Sequence, residues 1–324
     1  MPPLPPTSAP TRATTPQVTD FAGGMNFVLL ALLTLLADSA FTTRQLVATA
    51  IVVASRLELS LLLLYRVLKR GHDARFDEMR EKFWSFLGFW VFQILWVYVV
   101  SAPLIYLNCE SSLNDPPLAA WDYAGWALAG GGTLIQTLAD LQKMRFRADP
   151  ANRGRVCDVG LWRASRHPNY FAEMLIWWGV FLCAVPIFDT PGTRAGLATV
   201  VSPLFTMLIL LFLSGMPTAE GQELARFFKT ADSAAAFRRY FARTPPIIPF
   251  VPGCYEAMPV AAKRALCCEF PMYEYQEGGL ELRESGSLSL GGGADGRGSG
   301  SGSVDLLGAE KPSASVPVTV GPSE

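Results

Sequence analysis

Charge is scarce in this chain. Only 17% of its 324 residues are Asp, Glu, Lys or Arg, whereas a soluble domain carries about a quarter. That argues against a protein held in water by a charged shell. The net charge is −1, so no field of one sign gathers polyanions, and nucleic acid is not an expected partner. There are two histidines, and Cys109, Cys157, Cys183, Cys254, Cys267 and Cys268 form no CxxC pair. A zinc site or a disulfide framework is therefore not expected. The opening MPPLPPTSAPTRATTPQ has one Arg among Pro and Thr and lacks the basic start and apolar centre of a signal peptide. No repeat of fixed period is present.

What is present is apolar. Half of the residues are hydrophobic and the mean hydropathy is +0.27. The apolar residues cluster into six segments near spanning length, at about 20–37, 45–68, 83–107, 119–139, 171–188 and 195–214. The expected fold is all-α, a multi-spanning transmembrane helical bundle within residues 18–276. The leader 1–17 and the Gly/Ser-rich tail 277–324 are expected to be disordered, because neither can bury a core. The first span is the weakest, with Asp20 at its edge and a Gly23-Gly24 pair. Residues 215–250 place Leu224, Phe227, Phe228, Phe237 and Tyr240 at helical spacing among charges, a pattern that suits a helix on the membrane face or against the bundle.

The loops give an orientation. Loop 69–82 has five Lys or Arg, loop 108–118 has none and loop 140–170 has seven. Positive charge favours the cytoplasmic side, which puts both basic loops and both termini there. The lipid bilayer is the first expected partner.

The third loop also carries chemistry. Lys143, Arg145, Arg147, Arg153, Arg155, Arg163 and Arg166 face only Asp140, Asp149 and Asp158. That excess fits a topology signal, and it equally fits a pocket for phosphates. Asp140, Lys143 and Arg147 share one face if the preceding helix continues through them. Next comes SRHPNYFAEMLIWWG. Pro168 starts a helix, Asn169 and Tyr170 fall in its first turn, and Glu173 follows on the Asn169 face at membrane depth. An intramembrane carboxylate points to function, or else to an ion pair with a nearby Arg. Trp177, Trp178 and Phe181 suit a lipid cavity, an interfacial belt or helix packing.

The stretch GLWRASRHPNYFAEMLIWWG resembles the signature of the steroid 5-alpha-reductase-like membrane proteins, in the branch defined by a DUF1295 domain. VTDFAGGMNFVLLALLTLL, LYRVLKRGHDARFDEMR, FWVFQ, RFRADPANRGRVCDVG and RRYFARTPPIIPF extend the likeness over residues 18 to 250. The resemblance implies an NADPH-dependent reductase of a C=C bond in a hydrophobic lipid or steroid-like enone, in the endoplasmic reticulum. Gln136, Asp140, Arg147, Arg155, Asn169 and Glu173 match cofactor-binding positions, Gln136 standing where the family has Asn. Lys143, Arg166, His167, Tyr170 and Tyr240 complete the expected NADPH set. Arg56 matches a family Arg, Ser60 replaces a usual Tyr, and Glu58 is peculiar to this chain. The expected proton donors are Tyr170, Tyr65, Arg56 and Asp20. The family usually has one more span before VTDFAGG.

Two other functions compete. Isoprenylcysteine methyltransferases also show an Arg-His-Pro-x-Tyr run, and Glu220, Glu223, Tyr240 and Arg243 resemble their arrangement; the cofactor would be S-adenosylmethionine. The Asp140–Arg147–Arg155 set favours a phosphate-bearing cofactor instead. A non-catalytic membrane scaffold is the third reading.

Overall fold

A computed structural model of the protein describes residues 19–70, 82–110, 115–188 and 192–273. The leader 1–17, the tail 277–324 and most of the first basic loop lie outside them. The described residues contain helices and no strand. The long helices are α1 (Thr19–Asp38), α2 (Thr43–Arg70), α3 (Phe83–Glu110), α4 (Ala120–Ala148) and α5 (Pro168–Phe188).

The sixth expected span is a composite. A 3-10 stretch (Arg194–Val200) leads into α6 (Val201–Leu208) and a π turn (Ile209–Leu213). Short helices follow: α7 (Met216–Ala219), a 3-10 segment (Gly221–Phe228), α8 (Ala231–Arg243), α9 (Pro252–Glu256) and α10 (Val260–Cys267).

Among the described residues, four segments are long and apolar enough to cross a membrane: Thr43–Lys69, Phe83–Glu110, Pro168–Phe188 and Arg194–Phe228. Phe21–Ala37 is apolar but shorter. The protein is thus an integral membrane helical bundle. Helix α3 shows why hydropathy reads so clearly. It buries Val97, Val100, Ser101, Leu104, Leu107 and Asn108 at 3–4-residue spacing, yet its outer face is Trp84, Val91, Ile94, Leu95 and Tyr98. A face of that kind is stable only against lipid.

The Gly23-Gly24 pair has a packing role in α1. It lets α1 approach its neighbours: a Cβ on Gly24 would overlap Ser60 Oγ, and one on Gly23 would strike the Gln93 amide. A Tyr at position 60 would push α1 away, so the small Ser60 and the close α1–α2 packing go together.

The most extensive helix pair is α4 with α5, and small residues make it. A Cβ on Gly132 would stand 2.8 Å from the Ala172 carbonyl oxygen, and one on Gly179 2.5 Å from the Gly125 carbonyl oxygen. Backbones in such contact gain dispersion where the hydrophobic effect gives nothing. The seam also sets register, because one turn beyond Gly132 it brings Gln136 to Glu173.

Candidate functional site

Glu173 is the centre of a buried polar cluster. Arg56 on α2 donates through Nη1 to Oε1 at 2.8 Å and through Nη2 to Oε2 at 2.7 Å. Trp177 Nε1 donates to Oε1 at 2.8 Å and Gln136 Nε2 to Oε2 at 3.2 Å. The Arg56 guanidinium lies 5.4 Å from the Trp177 ring and 5.8 Å from that of Phe27. The carboxylate therefore has an Arg partner, but from another span and not from the basic loop. A bidentate pair satisfied on both sides can persist at membrane depth, and removing one member costs about 3–5 kcal/mol. Gln136 Oε1 is buried without a hydrogen bond. Glu58 lies against Thr137 and Asp140.

Helix α4 continues to Ala148, which puts Asp140, Lys143 and Arg147 on one face. Lys143 lies in the field of Arg147, Asp140 and Arg66 of α2, and its Nζ sits 4.0 Å over the Trp162 ring. Two cations, Lys143 and Arg66, thus act on the half-buried Asp140 carboxylate one turn beyond Gln136, and Arg147 adds a third charge beside Lys143.

The SRHPNY run is pinned from the C-terminal side. Arg166 N–H donates to the Pro245 carbonyl at 2.8 Å, His167 N–H to that of Pro246 at 3.0 Å, and Phe250 N–H to that of Ala164 at 2.9 Å. The Arg166 side chain is held inside. Its Nη2 donates to Glu269 Oε1 at 2.6 Å, its Nη1 pairs with Glu220 Oε2 at 3.2 Å, and Phe241 lies 3.5 Å beneath it. His167 Nε2 meets Glu220 Oε1 at 2.8 Å, and its ring stacks on Tyr170 at 5.0 Å. Burial pulls the His167 imidazole below its ordinary range, against the opposing pull of Glu220. His167 Nδ1 and Asn169 Oδ1 are buried without hydrogen bonds.

A family model described as a protein of unknown function, DUF1295, matches residues 10–244. The chain belongs to the DUF1295 family. A protein of Schizosaccharomyces pombe described as "Uncharacterized protein C594.04c" is 31% identical over 110 residues, covering 28% of this chain and 31% of that protein. The chain thus spans about a third of that relative. No solved structure matches.

All three clusters are built from residues inside the DUF1295 match, with the exception of Glu269, Phe250 and the two prolines, which follow it. The other expected residues are dispersed. Tyr65 is 50% exposed on the outside of α2, with Lys69 over its ring. Arg155 is exposed and donates to Asn152 Oδ1 in its own turn. Tyr240 donates its hydroxyl to the Trp162 carbonyl at 2.7 Å, and burial raises its phenol well above the usual range. Arg243 pairs with Glu256 at 3.2 Å. The side chains of Asp20 and Glu223 lie outside the described residues. Trp177 and Phe181 pack in the main core, which assigns them to helix packing.

Arg66 falls within LYRVLKRGHDARFDEMR, but nothing in that motif marked it as part of a site, and Glu269 lies beyond the DUF1295 motifs. Arg66 lies in the apolar run of α2, where it reads as a helix-end cation. Glu269 follows the Cys267-Cys268 pair and precedes Pro271. The buried hydrogen bonds from Arg44 to Asp122, at 2.6 and 3.1 Å, were equally silent. Each side chain sits at a segment edge, where charge is ordinary.

Proposed function

We propose that this DUF1295 protein is an NADPH-dependent reductase of a C=C bond in a hydrophobic lipid or steroid-like enone, set in the endoplasmic reticulum membrane with both termini cytoplasmic. One observation carries the reading: Asp140 lies in the field of Lys143 and Arg66, with Arg147 beside Lys143, directly beyond the Gln136–Glu173 contact. The donor set fits a dinucleotide. Lys143 and Arg147 would hold phosphate oxygens, and Asp140 would accept a ribose hydroxyl. The oxygens of Gln136 and Asn169 and His167 Nδ1 are acceptors left without donors, matching hydroxyl or carboxamide N–H groups. When bound, NADPH would supply a hydride.

The remaining work falls to the protein. The Arg56–Glu173 pair forms a fixed polar floor that orients Gln136. Tyr170, next to Asn169, would hold the proton for the reduced substrate at its hydroxyl oxygen, while Tyr65 faces outward. The apolar faces of the spans admit the substrate from the bilayer.

Methyl transfer from S-adenosylmethionine stays the second reading, supported by the contact of His167 and Arg166 with Glu220. Titrating NADPH into detergent-solubilised protein separates the two. Arg147→Ala should weaken binding by one to two powers of ten, since a charge-assisted contact is worth about 1.5–3 kcal/mol. Arg147→Lys should recover part of it, and Arg145→Ala, on another side of α4, should bind like the parent. Parent-like binding by Arg147→Ala, with tight S-adenosylmethionine binding, would reverse the assignment.

A further inference from the structure

Residues 245–273 follow the family match and fold back onto the bundle. Ile247, Tyr255, Cys267 and Tyr273 are buried, and the Tyr273 hydroxyl donates to the Leu211 carbonyl at 2.6 Å. Their inner side is therefore complete. Yet Ile248, Phe250, Val251, Val260, Leu266 and Met272 are all exposed, Val251, Val260 and Leu266 by more than three fifths. Scattered exposed apolar residues are normal. Six within one 25-residue strap whose buried side chains already pack inward are a concentration of exposed apolar surface.

That surface is continuous with lipid. Phe270 stacks 5.4 Å from Phe212 of the π turn, and Leu204, Leu208, Phe212 and Leu213 are exposed along the composite sixth span. Through Phe270, near its C-terminal end, the strap meets the end of that exposed row. Its charges are sorted accordingly. Glu269 turns inward to Arg166 and the Tyr255 hydroxyl, and Glu256 is paired with Arg243. Lys263 caps the Tyr255 ring at 4.6 Å, and Arg264 is exposed on α10 beside Ala261 and Ala265.

We propose that residues 248–272 form a monotopic anchor that lies in the headgroup–acyl boundary of the same bilayer the bundle spans, apolar side chains down and Arg264 and Lys263 at the level of lipid phosphates. Segments of this kind bury their apolar face about 5–10 Å deep and gain from anionic lipid. Through Glu269 the strap also touches Arg166, so the lipid surface reaches the SRHPNY motif by one side chain. The inference stands apart from the reductase reading.

Spin labels in nanodiscs test it on the full chain. In a Cys109→Ser/Cys268→Gly background, native Cys254 is exposed, and Cys268 has a φ of 59° that Gly accepts. A nitroxide on Cys254, or on Leu266→Cys with Cys254→Ser added, should collide with dissolved oxygen several-fold more, relative to a water-soluble nickel complex, than one on Ala151→Cys in the exposed turn. Lys263→Glu/Arg264→Glu should reduce that ratio in phosphatidylserine discs more than in phosphatidylcholine discs. Ratios on the strap equal to that at Ala151 would overturn the anchor. So would shielding that is lost with one chain per disc and accompanied by dipolar broadening, which would make a second copy the occupant.

Discussion

Two buried arginine–carboxylate pairs lie along α2, 12 residues and hence about 18 Å apart, and they are finished differently. Arg44 donates to both oxygens of Asp122, to Asp115 and to the Pro116 carbonyl, and Asp122 also accepts from Ala119 N–H at 2.8 Å. Beside it Asn108 ties Thr34, Thr49 and Gln45 together across α1, α2 and α3. Arg56 and Glu173 are as well paired, but Gln136 Oε1, Ser60 Oγ and Glu58 Oε2 around them make no hydrogen bond, and Lys143 and Arg66 act on Asp140. A polar cluster that satisfies itself holds helices together. One that leaves acceptors over supports the proposed ligand site instead.

The sharpest way to break this contrast is sidedness. Cys109, next to Asn108, and Cys254 are both exposed. In sealed, oriented vesicles a membrane-impermeant thiol reagent should label them from opposite sides, all or none. Labelling of both from one side would merge the two ends. Buried Cys157 is unsuited to this assay.

Next in size comes the removal of one ionic partner. Asp122→Ala strands Arg44 and should cost about 3–5 kcal/mol, read as a lowered melting temperature in detergent. Arg44→Met/Asp122→Leu should regain most of it and leave NADPH binding unchanged. Glu173→Gln keeps an acceptor for Arg56, so its cost should be about 1.5–3 kcal/mol. It should also weaken NADPH binding by disturbing Gln136. If the Arg44–Asp122 double variant lost binding instead, the roles of the two clusters would be exchanged.

The smallest effect is a pH slope at the SRHPNY end. The folded state holds the His167 pKa below its ordinary value of 6.5, so the unfolded chain takes up the proton first. Stability from His167 is complete above about 6.5 and is lost as pH falls below it. Melting temperature against pH should show that loss, and His167→Gln should flatten it. Asp122→Ala should leave the slope in place.

Much of the bundle was readable because its signals are local. An apolar run of spanning length has few alternatives, and the starts of α2, α3 and α5 were legible to within about three residues, the ordinary uncertainty of helix ends. The composite sixth span was not, since hydropathy is blind to whether a backbone bonds at three, four or five residues. Asp140, Lys143 and Arg147 were legible as a helical face once α4 was allowed past the interface. Partners from distant spans were not. Nothing near Glu173 in sequence points to Arg56, and nothing near Arg166 points to Glu269, because each pair is made by the fold.

The Arg56–Glu173 pair also has a timetable. The two residues are 117 positions apart, and ribosomes add about 5–20 residues per second. Arg56 is thus made roughly 6–23 s before Glu173 exists. For that interval α2 carries an unanswered cation, which costs about 2.5–3.5 kcal/mol at the centre of a helix in the insertion machinery. Its seat in the bilayer becomes secure only when α5 arrives, so the bundle completes late in synthesis. A nascent chain stalled before α5 should expose α2 to the cell's membrane quality control.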